Sequence, residues 1–199
     1  MGEFMSKDIV NIKVSDMFPG FPDMEQPIIH GVSDQQRTLT VEEARIFHKN
    51  KHKIGKVVIE KTDDRETHYG ARALNVRFPS FLDRHTRDFD IFSPKPYQDA
   101  RETEGALDKL FGGDFFGVRE AEHPGTWKVF AHATDETYAD YTMKPKGLRR
   151  EKIRGVYYPT IPYIESSLKR TLADTTSSYR HAKDQDSLNR IEIYKRRLF

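Results

Sequence analysis

Asp88 and Asp90 alternate with apolar residues in the run Asp88-Phe89-Asp90-Ile91-Phe92. On an extended chain residues two apart share a face, so both carboxylates point one way from a segment whose other side is apolar. Two hard oxygen donors on a rigid strand suit a hard divalent cation. Mg2+ takes one or two carboxylates and fills its remaining positions with water and substrate phosphates. A pair of such cations can activate an attacking hydroxyl and steady a departing pyrophosphate. The plainer alternative is an edge strand whose aspartates face water, and neighbouring residues weigh against it.

Upstream, Gly70 stands where a strand turns into a helix, in His68-Tyr69-Gly70-Ala71-Arg72. Free N–H groups at such a turn can hold phosphate. Downstream, Asp140 lies in a second alternating stretch, Thr137-Tyr138-Ala139-Asp140-Tyr141-Thr142, where it could complete a metal site. Near the end, Arg180-His181-Ala182-Lys183-Asp184 opens a helix with cations able to neutralise phosphates.

This order resembles the nucleotidyltransferases of the DNA polymerase beta superfamily, and within them the AbiEii-type minimal nucleotidyltransferases. The segment Arg84, Thr86, Asp88, Phe89, Asp90 matches that group's Arg-x-Thr-x-Asp-hydrophobic-Asp, and Gly70-Ala71-Arg72-Ala73-Leu74 matches its Gly-Gly-x-Ala-Leu, with Ala71 in place of the second glycine. Lys169 stands for its helix-borne lysine. Arg180, Lys183, Asp184 and Asp186 approximate its last motif, one residue longer between Arg180 and Lys183 and one shorter after Asp184. The resemblance implies transfer of a nucleoside monophosphate from an NTP to a hydroxyl acceptor, with Mg2+ or Mn2+ held by Asp88, Asp90 and Asp140. It assigns the nucleotide to Gly70, Ala71, Arg84, Lys169, Arg180, Lys183 and Asp184. It also implies an RNA, tRNA-end or protein acceptor, a toxin of an abortive-infection system, and an antitoxin partner.

The elements that must position these residues follow from periodicity and turn chemistry. Thr40-Val41-Glu42-Glu43 has capping-box spacing and predicts a helix over 41–50. Strands are expected at 56–60 (KVVIE), 67–69, 88–92, 115–119, 127–133 and 137–143, with a short helix over 71–78. Pro94 and Pro96 open a helix carrying Ala100, Thr103, Leu107, Leu110 and Phe111, and Gly112-Gly113 closes it. The last third reads as helical, with one stripe at Ile161, Ile164, Leu168 and Leu172 and another at Leu188, Ile191, Tyr194 and Leu198. The fold class is α+β: a nucleotidyltransferase-like mixed sheet flanked by helices, with a helical C-terminal segment. Residues 1–39 form an irregular arm, of which 1–4 read as a cloning scar. Residues 40–150 form the catalytic core, and 151–199 a helical segment completing the site.

The chain has 199 residues, 32% charged and 12% aromatic, enough to fold around a core. With no cysteine, disulfides and thiolate metal sites are excluded. No apolar run of membrane-spanning length and no signal peptide is visible, so no membrane partner is expected and a cytoplasmic location is the natural reading. Residues 144–199 carry 14 Lys and Arg against 6 Asp and Glu, a surplus that favours a polyanion or simply solvates a helix surface. His48 and His52 have the spacing of a zinc pair but no carboxylate between them, and read as solvent-facing. His123-Pro124-Gly125-Thr126 reads as a hairpin turn, and Tyr157-Tyr158 as packing aromatics rather than base-stacking ones. Two rival functions remain: a nucleotide-sugar glycosyltransferase, where Asp-x-Asp also holds a metal, and a catalytically silent nucleic-acid or partner-binding protein on the same fold.

Overall fold

A computed structural model describes residues 39–197. The expected N-terminal arm therefore lies outside the described residues, except for Leu39, as does Leu198. Thr40 caps helix α1 (Val41–Asn50) reciprocally: its hydroxyl accepts the Glu43 N–H and the Glu43 carboxylate accepts the Thr40 N–H at 2.8 Å. One 3-10 turn joins it to α2 (Ile54–Lys61).

Residues 56–60 lie within α2 and are not the strand that their β-branched side chains suggest. Ile54 and Val58, four apart, are both buried, and Val57 packs beside them against the core. A helix buries all three on one face, and that packing overrides local propensity.

Strand β1 (Thr67–His68), helix α3 (Gly70–Asn75), strand β2 (Phe89–Ser93) and helix α4 (Pro96–Phe111) follow. Pro96 pre-sets the first turn of α4 and Gly112, at φ +77°, ends it. Strands β3 (Phe116–Glu120), β4 (Thr126–Ala131) and β5 (Thr137–Met143) complete a five-stranded sheet in the order β1-β2-β5-β4-β3. Only the central β2–β5 pair is parallel. The turn 123–126 joins β3 to β4, with Gly125 at φ +78°.

One face of the sheet packs on α1, α2 and α4 through Phe47, Val58, Phe89, Ile91, Leu107, Phe116, Val129 and Tyr141. Alternation along the strands leaves the polar residues of β2, β4 and β5 on the other face.

The C-terminal part opens with a hairpin, β6 (Arg150–Ile153) and β7 (Val156–Pro159), where helix was expected. Its turn residues, Arg154 and Gly155, have φ +49° and +87°. Two consecutive positive φ values match the twist of a tight hairpin. Arg150 donates to the carbonyls of Asp64 and Glu66, and β7 packs on β1. Tyr157 lies under the Arg150 guanidinium and Tyr158 edges His68, so both aromatics pack. Helices α5 (Ile161–Ala173) and α6 (His181–Arg196) then meet α3 in a second cluster of Leu74, Phe78, Leu82 and Ile191, flanked by Ile161, Ile164, Leu168 and Tyr194. The α+β fold with a mixed sheet flanked by helices is thus as expected from the sequence.

Candidate active site

The parallel β2–β5 register sets Asp90 directly beside Asp140 on the face turned away from the core helices. Asp88 sits two residues before Asp90. Each of the three aspartates offers a carboxylate oxygen, and the three oxygens lie within 4.8 Å of one another. No other group of three or more acids and histidines this close occurs among the described residues, and His48 and His52 are exposed on their helix and turn.

Several contacts hold the triad's shape. The Tyr69 N–H donates to the Asp90 carbonyl at 2.8 Å, and Arg72 Nε donates to the Asp88 carbonyl at 2.8 Å while its guanidinium stacks 3.5 Å over Phe89. The Thr86 hydroxyl donates to Asp88 at 2.6 Å. Gly70, at φ +66°, lies against Asp90 so closely that a Cβ there would fall 1.9 Å from Asp90 Oδ2. Glycine is required twice over, by backbone conformation and by space. Tyr69 stacks on Phe92 with ring centroids 3.8 Å apart and hydrogen-bonds Thr142.

Three carboxylates this close resist ionising together. The Asp90 carboxyl is pushed up to about 6, chiefly by burial and then by Asp88 and Asp140, while Lys183 and Arg180 act the other way. Asp140 is also raised, mainly by burial, with Lys128 opposing. Lys128 is Asp140's cross-strand partner on β4 and Arg119 is Lys128's on β3, so the row across the sheet passes from two acids to two bases.

Of the residues expected at the site, Asp88, Asp90 and Asp140 come together, Gly70 lies against Asp90, and the charges of Arg180 and Lys183 reach Asp90. Asp184 is buried one turn below, 3.8 Å from Arg180. Ala71 is buried beside Gly70 at the start of α3. Lys169 is exposed on α5 and pairs with Glu165 at 3.6 Å, outside this set. Arg84 makes no ion pair with Asp88; its charge falls on Arg190. Sequence reasoning named Thr86 only as a motif position and gave no role to Tyr69 or Lys128. Tyr69 adjoins the Gly70 motif and Lys128 interrupts an apolar strand, whereas Arg190, away from the triad, gives no local signal.

The donor set suits a hard cation: all three ligands are carboxylate oxygens, and Asp140 Oδ1 is enclosed without a hydrogen-bond partner. Among the described residues no helix is long and apolar enough to cross a membrane.

No protein-family model and no curated protein matches the sequence. The structure is similar to the polyadenylate synthase of Megavirus, with a TM-score of 0.60 and 21% identity, over 78% of this chain. It spans about a third of that protein, 35% of its length. It is more distantly similar to JHP933 from Helicobacter pylori, with a TM-score of 0.43 and 15% identity over 76% of this chain and 66% of that one. At the first of these similarities what is shared is the fold, and the chain has a nucleotidyltransferase-like fold.

Proposed function

We infer that the chain is a divalent-metal-dependent nucleotidyltransferase that joins a nucleoside monophosphate from an NTP to a hydroxyl. The observation that carries this reading is the convergence of the Asp88, Asp90 and Asp140 carboxylates on the open face of a nucleotidyltransferase-like sheet. Asp88 and Asp90 would hold two ions, and Asp140 the one on the acceptor side. Mg2+ or Mn2+ bound there supplies the positive charge that acidifies a hydroxyl and offsets the charge of a leaving pyrophosphate.

In the overall reaction the acceptor oxygen bonds to the α-phosphorus, the bond from that phosphorus to the β-phosphate's bridging oxygen breaks, pyrophosphate leaves with that electron pair, and the hydroxyl proton passes to solvent. The chain's own groups bind and orient. Gly70 leaves room for Asp90. Thr86 and Arg72 fix Asp88, and Lys183 and Arg180 bring cations to bear on the acidic cluster and on a triphosphate beside it.

An RNA or tRNA end is the acceptor this reading favours over a protein hydroxyl, because the C-terminal segment is strongly basic and Lys128 and Arg119 continue the triad's row. The polyadenylate synthase that the fold resembles is named for a reaction of this class. The resemblance of the Arg84-Thr86-Asp88-Asp90 segment to the AbiEii-type enzymes implies, as a finer reading, a toxin with an antitoxin partner.

The test is incubation with each α-labelled NTP, Mg2+ or Mn2+, and total RNA, beside Asp88→Ala/Asp90→Ala. Label in RNA or protein only with the aspartates intact is the expected result. No transfer from any NTP, together with no Mg·NTP stabilisation, would leave a silent binding protein.

A further inference from the structure

Arg190, on α6, is 7% exposed, yet no carboxylate lies within ion-pair distance of it among the described residues. Buried cations are ordinarily paired. Its Nε donates to the Leu82 carbonyl at 2.6 Å and its Nη2 to Asn75 Oδ1 at 2.8 Å, while its enclosed Nη1 has no acceptor. The same Asn75 oxygen accepts the Arg84 N–H at 3.1 Å, and the Asn75 amide donates to the Arg84 carbonyl at 2.8 Å. One side chain thus tethers both arginines.

Among the described residues the Arg84 side chain donates no hydrogen bond, and its Nη1 is likewise enclosed without an acceptor. The two guanidiniums feel each other: burial and then Arg84's charge lower the pKa of Arg190, against a smaller upward pull from Asp186 and Asp83. Two cations tied to one asparagine, each with an orphaned N–H and neither in an ion pair among the described residues, form an arrangement in which Asp186 and Asp83 act on Arg190 less strongly than Arg84 does. Planar guanidinium forks match a tetrahedral oxyanion in a way that water does not.

We propose that Arg84, Arg190 and Asn75 form an oxyanion site that takes a phosphate group. Arg84 lies four residues before Asp88 on the segment that presents the triad, so a phosphate bound there sits at the root of that segment. The site stands apart from the metal chemistry of the triad and goes beyond the proposed transfer reaction. Its phosphate comes either from a nucleotide or from free phosphate or pyrophosphate.

Arg84→Gln is the informative variant, because it removes a charge without removing a side-chain hydrogen bond, whereas Arg190→Gln would also release Leu82 and Asn75. Thermal unfolding in EDTA is followed for wild type and Arg84→Gln with sodium phosphate, pyrophosphate, ATP, adenosine, or sodium chloride at matched ionic strength. Wild type should be stabilised by phosphate or pyrophosphate beyond the chloride control. Arg84→Gln should melt higher than wild type without ligand, and should bind phosphate or pyrophosphate at least tenfold more weakly.

Loss of the ATP response along with the phosphate response identifies the nucleotide as the source. An ATP response that survives identifies free phosphate or pyrophosphate. Asp88→Asn/Asp90→Asn should keep the metal-free phosphate response even if it loses every Mg·NTP effect, so the site and the proposed activity fail separately. A wild-type response equal to chloride, an undiminished response in Arg84→Gln, or a ligand-free Arg84→Gln less stable than wild type would each overturn the proposal.

Discussion

Gly70→Ala tests the triad's construction most directly. The residue sits at φ +66°, where an L side chain costs roughly 1–2 kcal/mol. The added methyl would fall 1.9 Å from Asp90 Oδ2 and 2.9 Å from Asp90 Cγ, inside any real contact distance, so the Asp90 side chain or α3 must move. Forcing a methyl into packed space costs about 1–3 kcal/mol, which brings the total to about 2–5 kcal/mol. Urea denaturation in EDTA measures it.

The clash can be isolated in an Asp90→Ala background, where the offending atoms are gone and the nearest remaining neighbour, the Asp90 Cβ, lies 3.3 Å away. There Gly70→Ala should cost only its backbone share, leaving a coupling of about 1–3 kcal/mol between the two positions. Equal costs in both backgrounds would show that Gly70 does not support Asp90, and the packing argument for the glycine would fall.

Other outcomes follow from the same structure. Because Asp90 keeps its proton up to about pH 6, the native state binds more protons than the unfolded chain between about 3.8 and 6. Its contribution is full below that window and lost as pH rises through it, so Asp90→Asn should stabilise the metal-free protein by on the order of 2–3 kcal/mol at pH 8 and by little at pH 4, read from urea titrations. Glu66 is 3% exposed and burial pushes it up to about 7, although the Asp63 N–H bond pulls it down. Glu66→Gln should therefore match wild type near pH 4.5 and exceed its stability by up to on the order of 3 kcal/mol above pH 7, where a flat difference across that range would refute the burial argument. Ile191→Ala opens a cavity among Leu74, Phe78 and Leu82 and should cost about 2–5 kcal/mol by chemical denaturation.

Much of this fold is written in local chemistry. The capping box of α1, the proline and glycine that bound α4, and the alternation of β2 and β5 each follow from residues close in sequence, and each forms where its signal stands. The failures occur where distant packing decides. Residues 56–60 have strand-forming side chains, but Ile54 and Val58 are placed for a helix face, and only the core they meet selects between the two. The β6–β7 hairpin turns at Arg154-Gly155 without the asparagine or aspartate that usually announces such a turn.

The site divides in the same way. That Asp88 and Asp90 share a face is a property of any strand, and Asp140 stands out as an acid in an alternating stretch. That Asp90 and Asp140 are neighbours depends on a parallel pairing between segments 50 residues apart in the chain, which periodicity within either segment cannot express. Arg190 is harder still. It is one arginine in a basic C-terminal segment, indistinguishable there from its solvated neighbours. Its meaning comes from what surrounds it: the Leu82 carbonyl, an asparagine 115 residues earlier, and a second guanidinium whose charge outweighs that of Asp186 or Asp83. A surplus of positive charge in a sequence predicts affinity for polyanions in general. Two arginines with enclosed, unmet N–H groups would restrict that affinity to one place and one shape of ligand, because an oxyanion must answer donors already fixed in position.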